Sequence, residues 1–242
     1  MDPRIALRQF AVRYPAFALQ PMSLEFRPGE RVAFVGPNGS GKTTTLRAIA
    51  GRLSSYDGSI LFDGADLRTL LPLGRQKIGL LPETLAGYGW MKVRDHLAFL
   101  REFYPDWDAG YAAHLMQRLL VPPDAVMSTL SKGTRVKVSF IAAEAYRPPL
   151  LLLDEPTSGL DPQARVELLD SILAAADGNR ERVVLFSTHL LEDIDRVADR
   201  VILLSNGALQ LDASVAELRD AHHGSSLAKI LYAALSRPAS AS

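Results

Sequence analysis

Residues 36–43 read Gly-Pro-Asn-Gly-Ser-Gly-Lys-Thr, a complete G-x-x-x-x-G-K-T loop. Before it runs Arg31-Val32-Ala33-Phe34-Val35, which reads as a buried strand. After it, Leu46, Ile49 and Ala50 have helical spacing. Strand, glycine loop and helix in that order make a phosphate cradle. The glycines let backbone N–H groups converge on an anion, and the helix N-terminus adds partial positive charge. Gly36, Pro37, Asn38, Gly39, Ser40, Gly41, Lys42, Thr43 and Thr44 are therefore expected to hold a nucleoside triphosphate. Lys42 should reach the β- and γ-phosphates, and the Thr43 hydroxyl should ligate Mg²⁺.

The rest of the chain fits an α/β protein with an interruption. Ile5 to Val12 reads as an edge strand, Met22 to Phe26 as a second, and Ser59 to Phe62 as a third, suggesting a small antiparallel sheet beside the nucleotide core. Ile78 to Leu81 reads as a further buried strand. Helical spacing follows in Val93, Leu97, Leu100 and Phe103, then in Tyr111, Leu115 and Leu119, with Asp106 or Asp108 as a cap between them. Gly133 to Tyr146 reads as a third helix. Strand and helix then alternate: Leu150–Leu153, Pro162–Ala176, Arg182–Ser187, Leu190–Val197 and Arg200–Leu204. Asn206-Gly207 marks a hairpin into Ala208–Leu211, and Val215–Arg219 and Leu227–Leu235 read as terminal helices before a mobile tail.

Composition bounds the function. The 242 residues carry 27 basic and 27 acidic side chains, so charge gives no argument for nucleic acid as a partner. There are no cysteines, which excludes a disulfide framework and a Cys-based metal site. The run Leu150 to Leu153, like every other apolar run in the chain, falls far short of the roughly 20 residues a membrane-spanning helix needs, so the chain is expected to be soluble by itself.

Pro149 to Pro156 reads Pro-Leu-Leu-Leu-Leu-Asp-Glu-Pro. Four apolar residues ending in an acid describe a buried parallel strand with a carboxylate at its C-terminal tip, the edge where open α/β sheets bind ligands. Asp154 is placed there to hold Mg²⁺, which keeps much of its hydration shell, and Glu155 to polarise an attacking water. Ser131 offers a hydroxyl at a helix start, a second anion site without a lysine. His189 follows a strand-like run and Tyr14 lies near the first strand.

In the order of these motifs the chain resembles the ATP-binding-cassette ATPases over roughly residues 5 to 220. Leu130-Ser131-Lys132-Gly133-Thr134 is similar to the family signature Leu-Ser-Gly-Gly-Gln, Ser158-Gly159-Leu160-Asp161 to its D-loop, and Ser187-Thr188-His189 to its switch histidine. The resemblance implies a P-loop NTPase core of the RecA-like α/β class, an antiparallel β subdomain and an all-helical insert at roughly 84–148. It implies one nucleotide-binding domain over 1–222 and a C-terminal helix with a flexible tail over 223–242. It implies ATP and Mg²⁺ as ligands, Tyr14 stacked on adenine, and His189 bonded to the γ-phosphate. Ser131, Gly133 and Asp161 would complete the site of a second ATPase subunit, with two ATPs sandwiched head-to-tail.

Two departures stand out. Glu83 occupies the place where the family usually has a Gln that contacts Mg²⁺ and the membrane partner, and Lys132 and Thr134 replace Gly and Gln. With Phe103-Tyr104-Pro105-Asp106-Trp107-Asp108, these variants resemble ATPase subunits of bacterial type-2 exporters. The expectation is a cytoplasmic ATPase, forming a homodimer or heterodimer beneath a separate integral-membrane permease, docked through Tyr88, Trp90 and Met91. The alternative is a non-transport ATPase of the same family, acting as a nucleotide-dependent switch or on nucleic acid or ribosomes.

Overall fold

The computed structural model describes residues 2, 4–70, 73–83, 87–221 and 227–235. Strands β1 (Ile5–Tyr14) and β2 (Phe17–Phe26) form a hairpin, followed by β3 (Arg31–Val35), α1 (Lys42–Ile49), β4 (Asp57–Phe62), β5 (Ala65–Asp66), the short α2 (Leu67–Leu70) and β6 (Ile78–Leu81). Helices α3 (Val93–Arg101), α4 (Ala109–Arg118) and α5 (Lys132–Glu144) come next. The chain then alternates through β7 (Leu150–Asp154), α6 (Pro162–Asp177), β8 (Val183–Thr188), α7 (Leu191–Val197) and β9 (Arg200–Ser205). It closes with β10 (Ala208–Ser214), α8 (Val215–Ala221) and α9 (Leu227–Leu235).

Two sheets result. One has the order β2-β1-β4-β5 and is antiparallel; the other has the order β10-β9-β3-β8-β7-β6. In the second, β9, β3, β8, β7 and β6 run parallel and β10 pairs antiparallel at the edge. Strand alternation explains why the parallel strands are apolar throughout. Leu150 and Leu152 of β7, with Val32 and Phe34 of β3, face a core shared with the antiparallel sheet and α1. Leu151 and Leu153, with Ala33 and Val35, face the other core, shared with α3 to α7. Both faces are covered, so neither set of side chains meets water.

The insert is not a separate globule. Val93, Leu97, Ala112, Leu115 and Val136 belong to the same core as Leu151 and Leu153 of the sheet. Asp108 caps α4 by accepting from the Tyr111 amide at 2.8 Å, so of the two acids read as caps it is this one. Leu227, Ile230 and Leu231 of α9 are buried in that core as well, so the C-terminal helix is part of the folded body. The tail from 236 onward lies outside the described residues.

One expectation is overturned. β1 is not an edge strand: it lies between β2 and β4. Its alternation is loose because Gln9 takes a left-handed φ of 48° and the register to both neighbours shifts around it. A bulge, not an unpaired edge, produces the irregular pattern.

Candidate functional site

The glycine loop joins β3 to α1 at the C-terminal edge of the parallel sheet. Its path admits no side chain at two places. A Cβ on Gly36, at φ 145°, would lie 2.0 Å from the Leu204 carbonyl oxygen, and one on Gly41, at φ 111°, would lie 2.5 Å from Leu19 Cδ1. The loop curls around Lys42, whose Nζ donates to the carbonyls of Gly36 at 2.8 Å and Pro37 at 3.1 Å. Burial lowers the Lys42 pKa, and the nearby carboxylates of Glu155, Asp154 and Glu83 oppose that shift. Ser40 Oγ is buried and has no hydrogen-bond partner among the described residues. An unpaired hydroxyl inside an anion cradle is an unmet demand that a phosphate oxygen would satisfy.

The acids come from the next strands. Asp154 ends β7 and is 2% exposed; its Oδ1 accepts from Thr43 Oγ1 at 2.9 Å and from Ser187 Oγ at 2.7 Å. Ser187 in turn accepts from the Glu155 amide at 2.8 Å. Glu155 takes a left-handed φ of 50°, an uncommon conformation for a non-glycine residue, which turns its side chain off the strand line. Its Oε2 lies 2.8 Å from His189 Nδ1, and its Oε1 lies 4.0 Å from Lys42 Nζ.

These groups surround a cavity of about 240 Å³ lined by Phe17, Asn38 to Thr44, Glu83 and Glu155. The structure thus brings the glycine loop, Glu83, Asp154, Glu155 and His189 together. It does not bring the others to this cavity. Tyr14 is 46% exposed at the hairpin end, paired with Phe17 across β1 and β2, and it is Phe17 that lines the cavity. Ser131 caps α5 through the Thr134 amide at 3.1 Å, Asp161 caps α6 through the Ala164 amide at 2.9 Å, and Gly133 sits in the first turn of α5. Ser131 and Asp161 are exposed to solvent. Two residues were not singled out from sequence: Phe17, and Ser187, which organises both acids. Ser187 is the penultimate residue of β8, next to Thr188-His189, and that adjacency is the signal that points to it.

The donor set suits Mg²⁺ held together with a nucleotide. Among the described residues no group of three acids or histidines forms a self-sufficient metal cage. One hydroxyl, Thr43, with the buried Asp154 and the nearby Glu83 supplies hard oxygen, and phosphates are the usual remaining ligands for this ion.

The ABC transporter family model matches residues 19–158. The chain is 34% identical over 202 residues to the ABC transporter ATP-binding protein YtrB of Bacillus subtilis, covering 84% of this chain and 68% of that one. It is also 34% identical over 230 residues to the sulfate/thiosulfate import ATP-binding protein CysA 2 of Rhizobium meliloti, covering 91% of this chain and 62% of that one. A solved structure of the ATP-binding subunit of an ABC transporter superposes with a TM-score of 0.85 at 26% identity, covering 96% of this chain and 99% of that one. The chain belongs to the ABC transporter family and is one of its ATP-binding subunits, a P-loop ATPase.

Proposed function

We propose that this subunit hydrolyses ATP within a two-subunit sandwich and drives an export permease from the inner face of the cell membrane. One observation carries the sandwich: Lys42 and Glu155 line one cavity, with His189 hydrogen-bonded to Glu155, while the signature cap at Ser131 and the D-loop cap at Asp161 face solvent. Each chain then offers half of a composite site, and a second subunit, identical or different, supplies Ser131, Gly133 and Asp161 to the γ-phosphate. Tyr14, half exposed at the end of β1 and paired with Phe17, is available to adenine.

Catalysis is positioning and electrostatics. Lys42 and the loop amides hold charge on the phosphoryl group. Glu155 accepts a hydrogen bond from the attacking water and orients it toward the γ-phosphorus, and His189 steadies Glu155 and the γ-phosphate. As the new P–O bond forms, the water's proton passes to Glu155, the bond to the bridging oxygen breaks and ADP departs with inorganic phosphate. Thr43, Asp154 and Glu83 would hold Mg²⁺, which when bound neutralises charge on the β- and γ-phosphates.

Coupling to a permease rests on an exposed aromatic row. Trp90, Tyr88, Phe99 and Phe103 contact one another in sequence, with centroids 6.0, 5.7 and 5.1 Å apart, and Trp90 is 74% exposed. Aromatics in such a surface row suit a partner helix. No helix among the described residues is long and apolar enough to cross a membrane. The export direction rests on Glu83, Lys132 and the 103–108 segment; import is the second reading, favoured by the importer subunit among the relatives. Co-expression with a multi-span membrane protein encoded beside this chain, followed by co-purification and vesicle transport assays, tests the proposal. Failure of Trp90→Ala to weaken co-purification would remove the docking assignment, and uptake in place of efflux would reverse the direction.

A further inference from the structure

Asp193 lies in α7, outside the nucleotide cavity, and is 1% exposed. A carboxylate buried this deeply needs partners, and it has three. Thr157 Oγ1 donates a hydrogen bond to Oδ2, Thr188 Oγ1 lies 3.4 Å from the same oxygen, and Arg165 Nε donates to Oδ1 at 2.7 Å. Thr157 and Thr188 are 2% and 1% exposed.

The identity of these partners gives the cluster its meaning. Thr157 stands two residues after Glu155, in the turn that reverses the chain beyond β7. Thr188 immediately precedes His189 at the end of β8. Arg165 sits in the first turns of α6, and its amide donates to the backbone carbonyl of the cap Asp161 at 3.0 Å. One buried acid therefore ties together the turn after Glu155, the residue before His189 and the helix that begins at the D-loop. Glu155 holds a left-handed backbone, which persists only where the surroundings over-determine it. The backbone bond to Ser187 restrains it from one side, and the Thr157–Asp193 bond restrains it from the other.

We propose that Asp193 is a positioning residue for hydrolysis: it holds the turns bearing Glu155 and His189 in register and links that register to the D-loop helix facing the second subunit. It is buried and does not line the nucleotide cavity. Its effect is on the orientation of the Glu155–His189 pair, so it acts on turnover and leaves ATP affinity intact. The inference rests on the assignment of Glu155 and His189 to hydrolysis.

The test is steady-state hydrolysis and equilibrium ATP binding on the 242-residue chain, with unfolding temperature measured alongside. Asp193→Asn keeps the volume and loses the charge and one acceptor. It is expected to lower kcat about tenfold or more with KM for ATP within about twofold, the pattern of an interaction realised in the transition state. Thr157→Val and Thr188→Val, which keep shape, are expected to lower kcat less, and adding Thr157→Val to Asp193→Asn is expected to add little. If Asp193→Asn fails to fold, the two Thr variants carry the test. Folded Thr variants with unchanged kcat, or losses of kcat and ATP affinity in equal proportion, overturn the proposal. Glu155→Gln measured in parallel separates the two readings: full activity there refutes the base assignment, whereas an inactive Glu155→Gln beside a fully active Asp193→Asn refutes this inference alone.

Discussion

Glu155 Oε2 and His189 Nδ1 meet at 2.8 Å across the ends of two neighbouring parallel strands. The acid is 9% exposed and the imidazole 49%, so the buried member is held from several sides while the ring stays half open to solvent.

Glu155→Gln retains the shape and the loop, and loses the charge that orients water. ATP binding should be unchanged, and turnover should fall by about 10² to 10⁴-fold, the range for loss of a general base. An ATP-bound dimer should accumulate. Size-exclusion chromatography with ATP, beside a phosphate-release assay, checks both halves.

Lys132 and Glu83, both departures from the family pattern, line one cavity of about 170 Å³ together with Glu155 and Ser158. Lys132 Nζ also lies close over Gly159 of the D-loop, where a Cβ would approach it to 2.6 Å. The lysine thus offsets acid gathered at this edge. Lys132→Gln and Glu83→Gln should each change turnover, with a coupling of about 0.5–3 kcal/mol in the double variant. Strictly additive effects would show that the two substitutions are independent.

Arg182 and Glu144, each 1% exposed, form a double hydrogen bond at 2.7 and 2.8 Å between the base of β8 and the end of α5. Tyr111 of α4 adds a bond to Glu144 at 3.0 Å. Arg182→Met strands the carboxylate and should cost about 3–5 kcal/mol in urea unfolding. Adding Glu144→Leu should recover part of that loss. A single variant as stable as the parent would mean that the pair contributes nothing to the fold.

His96 is buried in α3, its Nδ1 without a partner among the described residues, and burial holds its pKa below the ordinary 6.5. Between the depressed native value and 6.5 the unfolded chain binds more protons than the native one. Stability from this group is therefore complete above 6.5 and is lost as pH falls through that window. Thermal unfolding of the parent and of His96→Phe across pH 5 to 8, the range where histidine titrates, should show a smaller acid-side decline in the variant. Parallel profiles would exclude His96 as the source.

Local patterns were readable without coordinates because their chemistry is local. The glycine loop needs contiguous small residues, the β7 acids follow an apolar strand directly, and Ser131 directly precedes the helix it caps. The two-faced parallel sheet was legible for the same reason: its strands are apolar without alternation. The central place of β1 was not, because a bulge at Gln9 blurs the period on which such readings rest.

Relationships between distant residues belonged to the tertiary structure. Which aromatic meets the glycine loop depends on how the β1–β2 hairpin lies over it, and that arrangement presents Phe17 to the cavity. Ser187 joins Asp154 and Glu155 from 33 and 32 residues away, and Asp193 gathers Thr157 and Arg165 from 36 and 28. Hydrogen bonds of this kind leave no periodic trace, because each needs only one polar side chain at the right point in space. By itself the sequence determined that this chain binds a nucleotide's phosphates, at a loop whose backbone path the glycines make possible. Folding alone decided which side chains hold the acids at the strand tips in place, since strands far apart in the chain become neighbours only when the sheet forms.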